Sequence, residues 1–253
     1  MSRPDASIPA ILVVCEAPAD AEMATILVDR VVREEGPEWI ADNLEALRTW
    51  RGFEEASTHS RWRDLKSLYS GAGLPRMLGR DPDMPRGFDG AAARKAILLA
   101  RSLPSQVPTA LLLVRDLDGQ PQRRHSLEAA ARRAAQDGFT VLLATPDPER
   151  EAWLLHGFEP ETDEERERLD QHRGELGFDP RIEPNRLRGD SRKDRESRDI
   201  KAVLWSLVGS DSERERRCST EPSLAVLRRR GKKTHLTAFL DQVETELLPN
   251  LGT

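Results

Sequence analysis

At 253 residues, with 38% hydrophobic and 33% charged side chains, the chain is long enough to bury a sizeable core, and its recurring apolar periodicity excludes wholesale disorder. No apolar stretch approaches the roughly 20 residues of a membrane span, and the start Met1-Ser-Arg-Pro-Asp5 lacks the apolar core of a signal peptide, so the expectation is a cytoplasmic protein without membrane contact. Two cysteines, Cys15 in an apolar run and Cys218 in a charged segment, make neither a disulfide framework nor a zinc cluster.

The chain opens with Ile8 to Cys15, an unalternating apolar run of the kind that fills a strand buried on both faces, and it ends directly on Glu16. Met23, Ile26, Leu27 and Val31 then fall on one face of a helix starting near Pro18 to Asp20. Asp20 suits the positive end of that helix, while a glutamate straight after a buried strand needs a partner or a cation. Residues 36–90 are harder to read. Trp39, Leu44, Leu47 and Trp50 suit one helix, and Trp62, Leu65 and Leu68 another, while the Gly and Pro residues of 71–90 argue for a long surface loop.

Ala91 to Leu103 reads as a helix. The second buried strand, Ala110 to Val114, lies between Pro108 and Gly119 and is followed by Asp116 and Asp118. On an extended chain two such aspartates point the same way, about 6 to 7 Å apart, and could face one hard cation from the sheet edge. An isolated Asp-x-Asp is also an ordinary turn former. A helix over about Ser126 to Gln136 and a third strand, Phe139 to Ala144, complete an α/β alternation that predicts a parallel sheet flanked by helices.

Thr145-Pro-Asp-Pro-Glu-Arg-Glu151 follows that strand. Asp147 as N-cap, Pro148 at the first helical position and Glu149 at the helix start make a structural account, which leaves Glu151 over. Beyond residue 157 the apolar spacing of Leu204, Leu207, Leu224, Leu227, Leu236, Phe239, Leu240, Val243 and Leu247 predicts a helical C-terminal region, 158–253, behind a first domain of 1–157 with an insertion at about 36–90. The net charge of −5 is unevenly spread, for residues 181–233 hold 16 Lys and Arg against 9 Asp and Glu. Arg186, Arg188, Arg192 and Lys193 in that stretch are candidates for phosphate contact; solvated helix faces with i,i+4 charge pairs would look the same.

An apolar strand, Glu16, three residues, Asp20, and a second apolar strand ending in Asp116-Leu117-Asp118 resemble the Toprim domain of topoisomerases, bacterial primases and OLD-like defence nucleases. The likeness spans roughly residues 8–156. Pro148, Glu149, Glu151 and Trp153 add similarity to the small stand-alone Toprim-like proteins of anti-phage systems, whereas Ala17 departs from the glycine often found there. The resemblance implies Mg²⁺- or Mn²⁺-dependent cleavage of nucleic acid, DNA more than RNA, in anti-phage defence. Glu16, Asp116 and Asp118 would be metal ligands, Asp20 would support them or hold a second ion, and Glu151 or Glu149 would complete the catalytic set. Carboxylates without His or Cys independently favour Mg²⁺ or Mn²⁺ over Zn²⁺. Topoisomerases need a tyrosine nucleophile, and Tyr69, the one tyrosine, sits in no recognisable context, so attack by water is expected. The alternative is a non-catalytic Toprim-like module that binds nucleic acid or docks on an ATPase subunit.

Overall fold

A computed structural model describes residues 9–75, 88–103, 107–188 and 198–251. It is an α/β protein with a five-stranded parallel sheet. The chain divides into two compact units, one of residues 1–114, 122–143 and 242–253, the other of 115–121 and 144–241. The second unit thus starts at the end of the last strand, earlier than the boundary expected at 157, and the C-terminal residues return to the first unit.

The first unit holds the sheet. Strand β1 (Ala10–Cys15) lies at its centre, with β2 (Thr49–Arg51) and β3 (Ser60–Arg61) paired to one side and β4 (Ala110–Val114) to the other; β5 (Thr140–Ala144) follows β4. All of β1 and β4 is buried, as unalternating apolar strands must be when helices cover both faces. The register Val14 to Leu113 brings β1 and β4 to an end at the same sheet edge. Helices α1 (Pro18–Glu35) and α2 (Glu38–Leu47) link β1 to β2, α3 (Leu65–Gly71) and α4 (Phe88–Arg101) link β3 to β4, and α5 (Pro121–Gln136) links β4 to β5.

On one sheet face Leu12, Val14, Leu111 and Leu113 pack with Leu65, Tyr69, Ala96, Leu127 and Phe139. As an edge strand β5 presents unpaired backbone groups, a liability in open sheets. The Gln242 side chain covers it, accepting from Leu143 N at 2.9 Å and donating to Val141 O at 3.0 Å.

Two short strands correct the expectation for residues 36–90. Trp50 lies in β2 rather than at the end of a helix, and Trp62 opens a 3-10 turn (Trp62–Asp64) before α3. Strands of three and two residues are too short to show a period. Helix α4 starts at Phe88, three residues before the expected Ala91, and α5 at Pro121 rather than Ser126. Pro121 fits a first helical position, where no amide hydrogen is needed.

The second unit is helical: α6 (Arg150–Gly157), α7 (Asp163–Leu176), α8 (Ile200–Val208), α9 (Ser212–Thr220), α10 (Leu224–Arg230) and the start of α11 (Leu236–Gln242). Four of these helices start at side chains that accept backbone amides, Thr162, Asp199, Asp211 and Ser223, each satisfying donors that a helix start leaves open. Helix α6 is the hub, buried from Glu151 to Gly157. Its Trp153 ring stacks on Phe239 at 5.3 Å, and the indole donates to Thr234 O at 2.8 Å. At Gly157 an added Cβ would lie 1.8 Å from the Cys218 carbonyl oxygen, so only glycine lets α6 and α9 approach this closely.

Charge fills much of the remaining interior. Arg214 is buried, ion-paired with Glu165 at 2.8 Å and Glu161 at 3.2 Å, and it donates to Glu159 O at 2.6 Å. Asp179 joins Arg173 at 2.6 Å and Arg181 at 3.0 Å. Among the described residues no helix is long and apolar enough to cross a membrane.

Candidate functional site

In the first unit, Glu16 follows β1 at the sheet edge and is exposed. Asp20 serves the start of α1: its carboxylate accepts from Ala17 N at 2.8 Å while Asp20 N donates to Ala17 O, a reciprocal closure of the first turn. The Trp62 indole donates to Val114 O at 2.7 Å and so secures the last residue of β4.

In the second unit, the chain leaving β4 does not stay extended. Leu117 N donates to Pro146 O and Asp118 N to Pro148 O, which ties this segment to the one leading into α6. Gln120 N then donates to Leu117 O across a tight turn whose central residues, Asp118 and Gly119, have φ of 49° and 65°. Asp and Gly are the pair such a turn favours. The extended geometry expected for Asp116 and Asp118 is therefore not found: Asp118 is an exposed turn residue, while Asp116 is half-buried. Asp118 faces Asp147, whose proton affinity is raised by burial first and by the Asp118 charge besides, against a hydrogen bond from the Gly119 backbone.

The segment before α6 also differs from expectation. The cap position is Glu149, not Asp147, and Pro148, joined to Asp147 by a cis bond, precedes it instead of opening the helix. Glu149 and Glu151 are each 7% exposed, although they are carboxylates. Lys201, in the first turn of α8, meets Glu149 Oε2 at 2.9 Å. Burial lowers its pKa, but Glu149, Glu151 and Asp116 together outweigh that and raise it, so Lys201 remains an ammonium at neutral pH.

Glu151 is less well compensated. Its nearest cation is Arg150 at 3.5 Å, itself drawn to Glu215 at 2.6 Å, and Glu151 Oε2 is buried without a hydrogen-bond partner. Burial pushes its pKa up more than Arg150 and Lys201 pull it down. Among the described residues no three His, Cys, Asp or Glu side chains stand as a ready-made metal group. What the second unit does gather is Asp116, Glu149 and Glu151 about one ammonium, with Asp118 beside Asp147. Glu149 Oε2 and Glu151 Oε2 are both buried without a hydrogen-bond partner, and carboxylate oxygens are the donors a hard divalent cation takes.

Lys201 and Asp147 were not singled out by sequence reasoning. Lys201 lies about fifty residues beyond the carboxylates it joins, and Asp147 was explained as a cap. Of the basic candidates, Arg186 pairs with Glu183 at 3.1 Å and lies 4.1 Å over the Phe178 ring, while Arg188 is exposed and its backbone pairs with Arg198 and Asp199. Arg192 and Lys193 lie outside the described residues. No protein-family model, curated protein or solved structure matches the chain.

Proposed function

We propose that the chain is a Mg²⁺- or Mn²⁺-dependent nuclease that hydrolyses phosphodiester bonds by attack of water, in the setting of anti-phage defence. The observation that carries this reading is Glu151, a buried carboxylate with an unpartnered oxygen, beside Glu149 and the Lys201 ammonium. Burying such a carboxylate is costly unless a cation meets it, which is why an orphan of this kind points to a ligand. Glu149 and Glu151 would hold the ion, with Asp116, which the resemblance assigns as a ligand, completing its coordination; such an ion, when bound, lowers the pKa of water and stabilises charge on the attacking and leaving oxygens. Lys201 stays protonated and so binds a phosphate oxygen rather than taking a proton. For Glu16, which the resemblance assigns to the same chemistry, the test is functional: Glu16→Gln should lower cleavage.

The experiment is incubation with supercoiled plasmid, single-stranded DNA and tRNA in Mg²⁺, Mn²⁺ or EDTA. Cleavage in either metal and none in EDTA is expected; inertness toward all three substrates would contradict the proposal. One observation favours a second reading, a non-catalytic module for nucleic acid or an ATPase partner: the ion pair from Lys201 to Glu149 supplies a permanent internal cation. Under that reading Lys201→Met destabilises the fold and metal changes nothing, whereas the nuclease reading expects metal to stabilise the protein.

A further inference from the structure

Helix α8 buries Ile200, Val203, Leu204, Leu207 and Val208, a complete core stripe for a helix of nine residues. Trp205 is not part of it. At 65% exposure it is the most exposed large apolar side chain among the described residues. It stands one turn beyond Lys201 on the same helix face, with Cβ atoms about 6 Å apart at such a spacing. The Lys201 side chain is itself half exposed and holds Glu149 at 2.9 Å. Just before α8, Arg198 and Arg188 are both exposed, and Arg188 N donates to Arg198 O at 2.8 Å, so two guanidinium-bearing residues flank the same helix end.

An indole in water, one turn from an ammonium on a helix whose start carries two exposed arginines, is a poor choice for contact with an apolar protein surface. It is a good one for a nucleotide, which offers a flat ring and an anion one bond path apart. We propose that Trp205 is a stacking platform for an unpaired base, with the adjoining phosphate drawn toward Lys201, and that the substrate is therefore single-stranded nucleic acid. In a duplex each base face is already covered by its neighbours and cannot stack on the indole. Stacking on an aromatic side chain tolerates any base, so the site selects strandedness rather than sequence. This inference rests on the nuclease reading for its purpose, but it is tested by binding alone.

The experiment measures anisotropy of a short labelled oligothymidylate, the same strand in a duplex, and an abasic strand of equal length, all in EDTA. The wild type should bind the single strand better than the duplex or the abasic strand. Trp205→Ala should weaken single-strand binding by roughly five- to a hundredfold, as loss of one stacked base predicts, and Trp205→Phe should recover most of it. Duplex binding should not change, and an exposed position leaves the melting temperature of both variants near that of the wild type. Equal single-strand affinity in Trp205→Ala overturns the proposal, as does a loss shared equally by the duplex. So does a dimer of the wild type that Trp205→Ala dissociates without altering oligonucleotide binding. Cleavage by a wild type whose strand preference ignores Trp205 removes the platform and leaves the nuclease; Trp205-dependent binding without cleavage removes the nuclease and leaves the platform.

Discussion

The two units solve the problem of a charged, polar sequence in opposite ways. The first buries a nearly uniform apolar sheet, β1 and β4 without an exposed residue, and hides little charge beyond Arg30 and Arg48, which pair with Glu34 and Asp29. The second hides more of it: Arg214, Glu165, Glu149 and Glu151 are all buried, with Arg214 paired to Glu165 and Glu149 to Lys201. Glu149 Oε2 and Glu151 Oε2 both lack a hydrogen-bond partner, and Glu151 Oε2 is the exception that matters, because Glu149 Oε2 at least has the Lys201 ammonium at 2.9 Å. A fold that tolerates such an oxygen has either a strain to explain or a ligand to receive.

The sharpest way to break the comparison is at the packing hub. Trp153→Ala should cost about 3–5 kcal/mol of stability, since it deletes the Phe239 stack and orphans the Thr234 carbonyl. Gly157→Ala should be comparably severe because its Cβ meets backbone, which cannot rotate away. A drop of only a degree or two in melting temperature for both variants would show that α6 is not the hub.

Acid offers a second route into the same unit. His156 accepts no proton easily: burial, with Arg230 besides, lowers its pKa from 6.5 to about 4 against a hydrogen bond to the Arg181 carbonyl. That carbonyl can only accept, so Nδ1 carries the hydrogen and Nε2 faces the Thr234 hydroxyl at 2.8 Å. The folded state thus binds fewer protons than the unfolded state below pH 6.5, and stability should fall as pH drops from 6.5 toward 4, by about 3 kcal/mol at most. Asp179, held down to about 2 by Arg181 and Arg173 although burial opposes them, loses its contribution only below that window. Melting curves from pH 7 to 4.5 should therefore show a slope that His156→Gln flattens; an unchanged slope would place the acid-sensitive group elsewhere.

The legibility of the chain follows the same division. Ala10–Cys15, Ala110–Val114 and Thr140–Ala144 could be read directly, because a strand buried on both faces needs an unbroken apolar run and Pro or Gly lies near each of these. β2 and β3 could not, being too short for any period. At the site, Asp116, Glu149 and Glu151 were legible as acids after strands. Their geometry was not, since the positive φ of Asp118 replaces an extended edge by a turn, and the cap of α6 falls on Glu149 instead of Asp147. Lys201 was illegible because a lysine in a charged segment looks like any solvated one.

Chemistry gives the next largest effect. Asp116→Asn should reduce metal-dependent cleavage by at least about a hundredfold, roughly 2.7 kcal/mol in the barrier, without unfolding the protein. Full activity in that variant removes Asp116 from the reaction. The smallest expected effect concerns the basic flank. If Arg186 and Arg188 touch phosphates, replacing each should weaken all sequences alike and reduce the salt slope of binding by about one unit. Because Arg186 is already engaged with Glu183 and Phe178, its share should be the lesser.

The central claim is that the carboxylates of the second unit receive a divalent cation, and the melting temperature of the wild type and Glu151→Gln in EDTA and in Mn²⁺ tests it without any substrate. An ion at 100 times its dissociation constant stabilises the folded state by about 2.7 kcal/mol, which is several degrees for a protein of this size. The raised pKa of Glu151 means that its surroundings disfavour the charge, so Glu151→Gln should melt no lower than the wild type in EDTA. We expect Mn²⁺ to raise the wild type by those degrees and to leave Glu151→Gln nearly unmoved. A wild type that ignores Mn²⁺, or a variant that melts lower in EDTA yet keeps the full rise, would contradict the account.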